Sequence, residues 1–172
     1  FKKSFLKNNN IFFKKGIHED ILFMFKVFFY VRKKKYIDST IYIKNNIKSS
    51  IINNIDNRRI TDYFNALRDV NNFLIKNSVK RKHKSIKNLY LKGQSGYIYQ
   101  IVYFITENKL SYKKSINLLL FTYKKALKIF ELDKLPKKTH QDQIVDIYLN
   151  EIKYIYDKKT YDKFCYKIKY GK

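Results

Sequence analysis

Ile144 opens the stretch IVDIYLNEIKYIY (144–156), which the tetrapeptide Asp157-Lys158-Lys159-Thr160 joins to YDKFCYKIKY (161–170). In the second segment Phe164, Tyr166, Ile168 and Tyr170 alternate with Cys165, Lys167 and Lys169. Period-two patterning suits a strand, whose successive side chains point to opposite faces. The Asp-Lys-Lys-Thr link reads as a turn. The stretch therefore predicts a β-hairpin or two extended arms, and with it an α+β chain. A lone hairpin is marginal in water. Lys158, Lys159, Lys163, Lys167, Lys169 and Lys172 repel one another across this one, so its outer end should order only against a polyanion.

Working back along the chain, residues 88–92 (NLYLK) alternate like a short strand. Ile98, Ile101, Val102 and Ile105 then recur at helical spacing in a helix from about Ser95 to Asn108. Ser111 reads as the cap of a second helix with Ile116, Leu119 and Leu120 inward. Thr122 reads as the cap of a third, with Ala126, Ile129, Phe130 and Leu132 inward and Pro136 beyond its end. Lys124, Lys125 and Lys128 fall on the opposite face. The fold expected for 88–172 is three short helices packed on a small antiparallel sheet with an extended β-hairpin arm.

Residues 1–87 read as a mostly helical N-terminal extension. ILFMFKVFFYV (21–31) is the most apolar run, flanked by Lys14, Lys15 and Arg32 to Lys35. Its eleven residues fall short of the roughly 20 needed to cross a bilayer, so it is expected to be a buried helix or strand and no membrane span. Residues 39–57 are rich in Ile, Asn and Ser and read as a loop. A helix follows over about 61–77, with Thr61 as its cap and Phe64, Leu67, Val70, Phe73 and Leu74 inward. The basic run Lys80-Arg81-Lys82-His83-Lys84 comes directly after it.

Charge narrows the function. Lys and Arg total 38 against 14 Asp and Glu, a formal charge of +24. Such an excess is offset when phosphates replace condensed counterions. With 45% apolar residues, the chain is nevertheless no disordered basic tail. Lys, Ile, Asn, Tyr and Phe make up 102 of 172 residues, and all five use AT-rich codons, which points to an organellar or parasite genome. That drift also accounts for 33 Lys against 5 Arg. The single Cys165 excludes an internal disulfide and a cysteine-based metal site. His18, His83 and His140 lack partners at metal-ligand spacing. The four glycines form no phosphate loop. Lys163 and Lys167 beside Cys165 could lower its pKa, although a plain buried or tunnel-facing cysteine fits the position better. Nothing here assembles a catalytic site, and no cofactor or small-molecule substrate is implied.

Leu119-Leu120-Phe121-Thr122-Tyr123-Lys124-Lys125-Ala126-Leu127-Lys128-Ile129 resembles the third-helix opening of the large-subunit ribosomal protein twenty-two family of bacteria and organelles. Leu110-Ser111-Tyr112-Lys113-Lys114-Ser115-Ile116 resembles that family's second helix, and Ile98 to Ile105 its apolar first helix. Tyr148-Leu149-Asn150-Glu151-Ile152 is similar to the strand leading into the family's long hairpin. Lys159 to Phe164 and Lys167 to Lys172 echo its basic arm. The resemblance covers about half of the chain. Gln94-Ser95-Gly96-Tyr97 replaces the family's basic first-helix opening, and 1–87 would be an organelle-type extension. The resemblance implies a β–α–α–α–β order and an arm lining the polypeptide exit tunnel. The chain ends near the tip of such an arm, without its return strand.

The function expected is that of a non-catalytic constituent of an organellar large ribosomal subunit, mitochondrial by first choice. Its partners would be ribosomal RNA and neighbouring ribosomal proteins. The residues expected to contact RNA are Lys80, Arg81, Lys82, Lys84, Lys92, Lys124, Lys125, Lys128, Lys158, Lys159, Lys163, Lys167, Lys169 and Lys172. Interleaved tyrosines suit base stacking. The alternatives are a DNA-binding or mobile-element protein of an AT-rich genome, using 61–77 as a helical reader, and a membrane-surface protein anchored through 21–31.

Overall fold

The computed structural model describes residues 1–33, 35, 38–39, 55–77, 84–107, 110–129, 135 and 139–170, with 84–89 as backbone only. The described residues are predominantly helical and contain no strand. The expected α+β fold, with its antiparallel sheet and hairpin, is therefore corrected to an all-helical one. Two compact units divide the chain, Phe1–Asn77 and Ser78–Lys172.

In the first unit α1 (Lys3–Asn8) precedes α2 (Glu19–Tyr30) and α3 (Asn57–Lys76). Glu19 and Asp20 occupy the first turn of α2, where carboxylates favour the positive end of the helix dipole. Buried Ile11, Phe23 and Val27 gather Phe5, Leu6, Met24 and Tyr30 around them. Phe25, Phe29 and Tyr30 of α2 all meet the ring of Phe73 edge to face. The cap of α3 is Asp56, whose carboxylate accepts from the Arg59 N–H at 2.7 Å. Thr61, expected at the cap, lies inside this helix. Of the expected inward residues, Phe64, Leu67 and Val70 are buried.

The second unit packs α4 (Lys84–Glu107), α5 (Tyr112–Ile129), α6 (His140–Glu151), a 3₁₀ turn (Ile152–Tyr154) and α7 (Lys158–Tyr170). The boundary expected at 87/88 falls within α4. Residues 88–92, expected as a strand, belong to the same helix as Ile98, Ile101, Val102 and Ile105, all four of which are buried. The two helices expected at 111 and 122 are one. Ser111 does cap it, accepting from the Lys114 N–H at 3.4 Å. Thr122 is fully buried in mid-helix, and its hydroxyl donates to the Leu118 carbonyl at 2.8 Å. A threonine satisfied by the carbonyl four residues back no longer needs a helix terminus. Phe130, Leu132 and Pro136 lie outside the described residues.

The hairpin fails on two local grounds. Asp157-Lys158-Lys159-Thr160 is a reciprocal helix cap: the Asp157 carboxylate accepts from the Thr160 N–H at 2.7 Å, and the Thr160 hydroxyl accepts from the Asp157 N–H at 3.2 Å. A strand would also give Phe164, Tyr166, Ile168 and Tyr170 one shared environment. Instead Phe164 and Ile168 are buried while Tyr166 and Tyr170 are exposed, as helical spacing demands. Upstream, Ile144, Val145, Tyr148 and Ile152 are buried at helical intervals. Thr139 and Asp142 form the capping box that starts α6.

Hydrogen bonds from buried side chains tie this core across helices. The Ser95 hydroxyl of α4 donates to Asp142 at 2.7 Å, and the fully buried Tyr148 hydroxyl donates to the Leu119 carbonyl at 2.7 Å. Burial drives the Tyr148 phenol well above its usual pKa, so it stays a donor. A continuous α4 leads to a testable pair of substitutions. A Cβ at Gly96 meets nothing within 4 Å, so Gly96→Ala should stabilise the protein by about 0.5–1 kcal/mol. Leu119→Ala should destabilise it by about 2–5 kcal/mol. Urea unfolding followed by far-UV circular dichroism measures both, and a destabilising Gly96→Ala would break the continuous helix.

Candidate nucleic-acid interface

The second unit separates charge from core by helical geometry. In α5, Ser115, Ile116, Leu118, Leu119, Thr122 and Ala126 face inward. Lys113, Lys114, Lys124 and Lys128 are exposed on the other side. Lys125 is half-buried, with its ammonium 5.3 Å from the Phe121 ring centre. This helix carries five lysines and no acidic residue. The fusion of two expected helices is what brings Lys113 and Lys114 onto one stripe with Lys124 and Lys128. Sequence reading missed that pair because it ended a helix between them.

In α7, Lys158, Lys159, Lys163 and Lys169 are exposed. Lys167 is half-buried and paired with Glu151 at 2.6 Å. Lys169 lies 5.7 Å from the Tyr170 ring centre. Among the described residues, Lys167 is the one lysine of α5 and α7 with a carboxylate in ion-pair range. Lys92 is exposed on α4, away from the core face that holds Gln94 and Ser95. Lys80, Arg81, Lys82, Lys172 and the Lys84 side chain lie outside the described residues. The described ones among the expected contact lysines thus lie on α4, α5 and α7, with Lys158, Lys159, Lys163, Lys167 and Lys169 on a helix in place of the expected extended arm.

A shallow hollow of about 360 Å³ separates the 3₁₀ turn from α7, lined by Glu151, Tyr154, Ile155, Thr160, Lys163, Phe164 and Lys167. In the first unit, Lys14 pairs with Asp69 at 2.6 Å. The Lys26 ammonium is pushed below its usual pKa by burial and by the charges of Lys14 and Lys76. Positive charge there already repels positive charge.

No metal-ligating cluster of His, Cys, Asp and Glu occurs among the described residues. His18 stands edge-on to Tyr63, and burial followed by Arg59 lowers its pKa. His140 is an exposed first residue of α6, and His83 lies outside the described residues. No described helix is long and apolar enough to cross a membrane. Burial raises the Cys165 pKa; the Tyr161 hydroxyl offsets this in part, while Asp162 and Glu107 add to it. The preferred reading of Cys165 as a buried residue agrees with this direction, and Lys163 and Lys167 are not among the groups that shift it. Burial likewise pushes the Tyr161 phenol up to about 12.

No protein-family model, curated protein or solved structure matches the chain.

The raised thiol pKa makes a kinetic prediction, because the thiolate is the reactive form. Alkylation of Cys165 by iodoacetamide at neutral pH should run slower than that of a free thiol. Its rate should still be rising with pH beyond the range where a free thiol levels off. Reaction as fast as glutathione at neutral pH would overturn this placement.

Proposed function

We propose that the protein is a non-catalytic RNA-binding protein, a structural constituent of the large ribosomal subunit in an organelle with an AT-rich genome, mitochondrial by first choice. The observation that supports this most is the division of α5 and α7 into an apolar face and a lysine face. Ten lysines on these two helices face one carboxylate partner among the described residues. Self-repulsion of that kind is relieved by a polyanion whose counterions are released on binding. The motif that resembles a ribosomal protein (119–129) lies on α5 and places Lys124 and Lys128 outward, in keeping with this reading. Contact along the exit tunnel depended on the hairpin arm. With α7 helical, that part has no carrier and is not proposed. Ribosomal RNA and neighbouring ribosomal proteins remain the proposed partners.

Salt tests the reading. The logarithm of RNA affinity should fall linearly with the logarithm of salt, with a slope of about −0.7 to −0.9 per phosphate contact. Lys124→Gln with Lys128→Gln should flatten that slope by roughly one unit for each phosphate no longer neutralised, and should leave the circular dichroism spectrum unchanged. A slope near zero in the unsubstituted protein would overturn RNA binding. Equal affinity and slope on duplex DNA, without sedimentation alongside large ribosomal subunits, would favour the DNA-binding alternative.

A further inference from the structure

Tyrosine is used in two ways in the second unit. Tyr90, Tyr97 and Tyr148 are buried. Tyr103 of α4 is 48% exposed, and Tyr154, Tyr156, Tyr166 and Tyr170, 63%, 81%, 57% and 54% exposed, cluster in the last turn-and-helix segment. Drift toward AT-rich codons makes tyrosine frequent everywhere, but it does not place exposed rings among lysines. Helical spacing does so here. Lys159, Lys163, Tyr166, Lys167 and Tyr170 recur at intervals of three and four and so form one stripe of α7. The Tyr166 and Tyr170 rings lie 4.7 Å apart, tilted by 46°. Lys163 and Lys167 also line the hollow whose other wall is Tyr154, with Ile155 and Phe164 in its lining. Lys163 and Lys167 thus share the hollow with the exposed Tyr154 ring and the helix stripe with the Tyr166 and Tyr170 rings. The Lys153 ammonium sits 4.9 Å from the Tyr154 ring centre.

We propose that this face binds single-stranded RNA, with bases stacked on Tyr154, Tyr166 and Tyr170 and phosphates drawn along Lys159, Lys163 and Lys167. The proposal rests on the RNA-binding reading above and adds which form of RNA the face accepts. Unpaired bases offer π-faces to aromatic side chains, and stacking of this kind is tolerant of sequence. A duplex hides those faces in its own stack and presents phosphate alone. Exposed rings in a lysine row are thus matched to a single strand, whereas the ring-poor lysine stripe of α5 suits either form. Glu151 holds Lys167 at 2.6 Å and competes with phosphate for it.

The chain contains no tryptophan, so Tyr166→Trp introduces a single indole reporter in the intact chain. Its fluorescence should be quenched by a short single-stranded oligoribonucleotide of mixed sequence and hardly changed by a duplex of equal phosphate concentration. Tyr166→Leu with Tyr170→Leu should weaken single-strand binding on the order of ten- to a hundredfold. The same pair should leave duplex binding and the circular dichroism spectrum unaltered. Glu151→Gln, which frees Lys167, should tighten single-strand binding roughly two- to fivefold. If the leucine pair leaves single-strand affinity unchanged, or lowers single-strand and duplex affinity equally, the stacking proposal falls while RNA binding stands. If polyglutamate at equal charge displaces the single strand as well as a competing RNA does, the face reads charge alone and stacking is again excluded. If the unsubstituted protein binds neither form of RNA, the RNA reading itself fails and takes this proposal with it.

Discussion

The buried carboxylate of Asp142 is the constraint on which the second unit depends. One oxygen accepts from the Ser95 hydroxyl of α4 at 2.7 Å, and the other accepts from the Thr139 N–H at 3.0 Å, closing the box that starts α6. A carboxylate 7% exposed persists only where hydrogen bonds replace its water. The same side chain therefore begins one helix and fixes it against another. Among the described residues, α4 and α6 form the most extensive helix pair. The Tyr148 hydroxyl then reaches from α6 to the backbone of α5, and Phe164 tilts against the Tyr148 ring from α7.

That internal anchoring decides where charge goes. The acidic residues of α6 are Asp142, Asp146 and Glu151, with Asp142 buried and the others half-buried. Lys113, Lys114, Lys124 and Lys128 of α5 and Lys158, Lys159, Lys163 and Lys169 of α7 are exposed, while Lys167 is held by Glu151. Asp142 is thus satisfied inside the core by Ser95 and Thr139, and the outer faces keep a surplus of positive charge. The apolar core and the lysine faces draw on different residues of the same helices. A lysine substitution on α5 is therefore expected to act on affinity, and a core substitution on folding.

Much of the core was legible in sequence. Phe64, Leu67 and Val70, then Ile98, Ile101, Val102 and Ile105, then Ile116, Leu119 and Ala126 are inward by spacing alone, and all are buried. The C-terminal third was not legible in the same way, because AT-rich codons supply Ile, Tyr and Phe, which suit strands by propensity and satisfy either period over short spans. Two signals of helix were nevertheless present. Thr139 and Asp142 stand three apart before an apolar run, and so do Asp157 and Thr160; each pair closes a cap rather than a turn. Thr122 misleads in the opposite direction, since a buried threonine bonded to Leu118 has the residue type of a cap without its position. For the proposed contact faces, charge gave the lysines, but their grouping into stripes required the correct helix boundaries.

Photochemical crosslinking of the intact chain to RNA, followed by peptide mapping, tests the central claim most directly. Adducts concentrated in 112–128 and 158–170, and sparing the buried face of α6, are the result this account predicts. Crosslinks confined to 1–77, or none above the level given by a helical protein of ordinary charge, would contradict it.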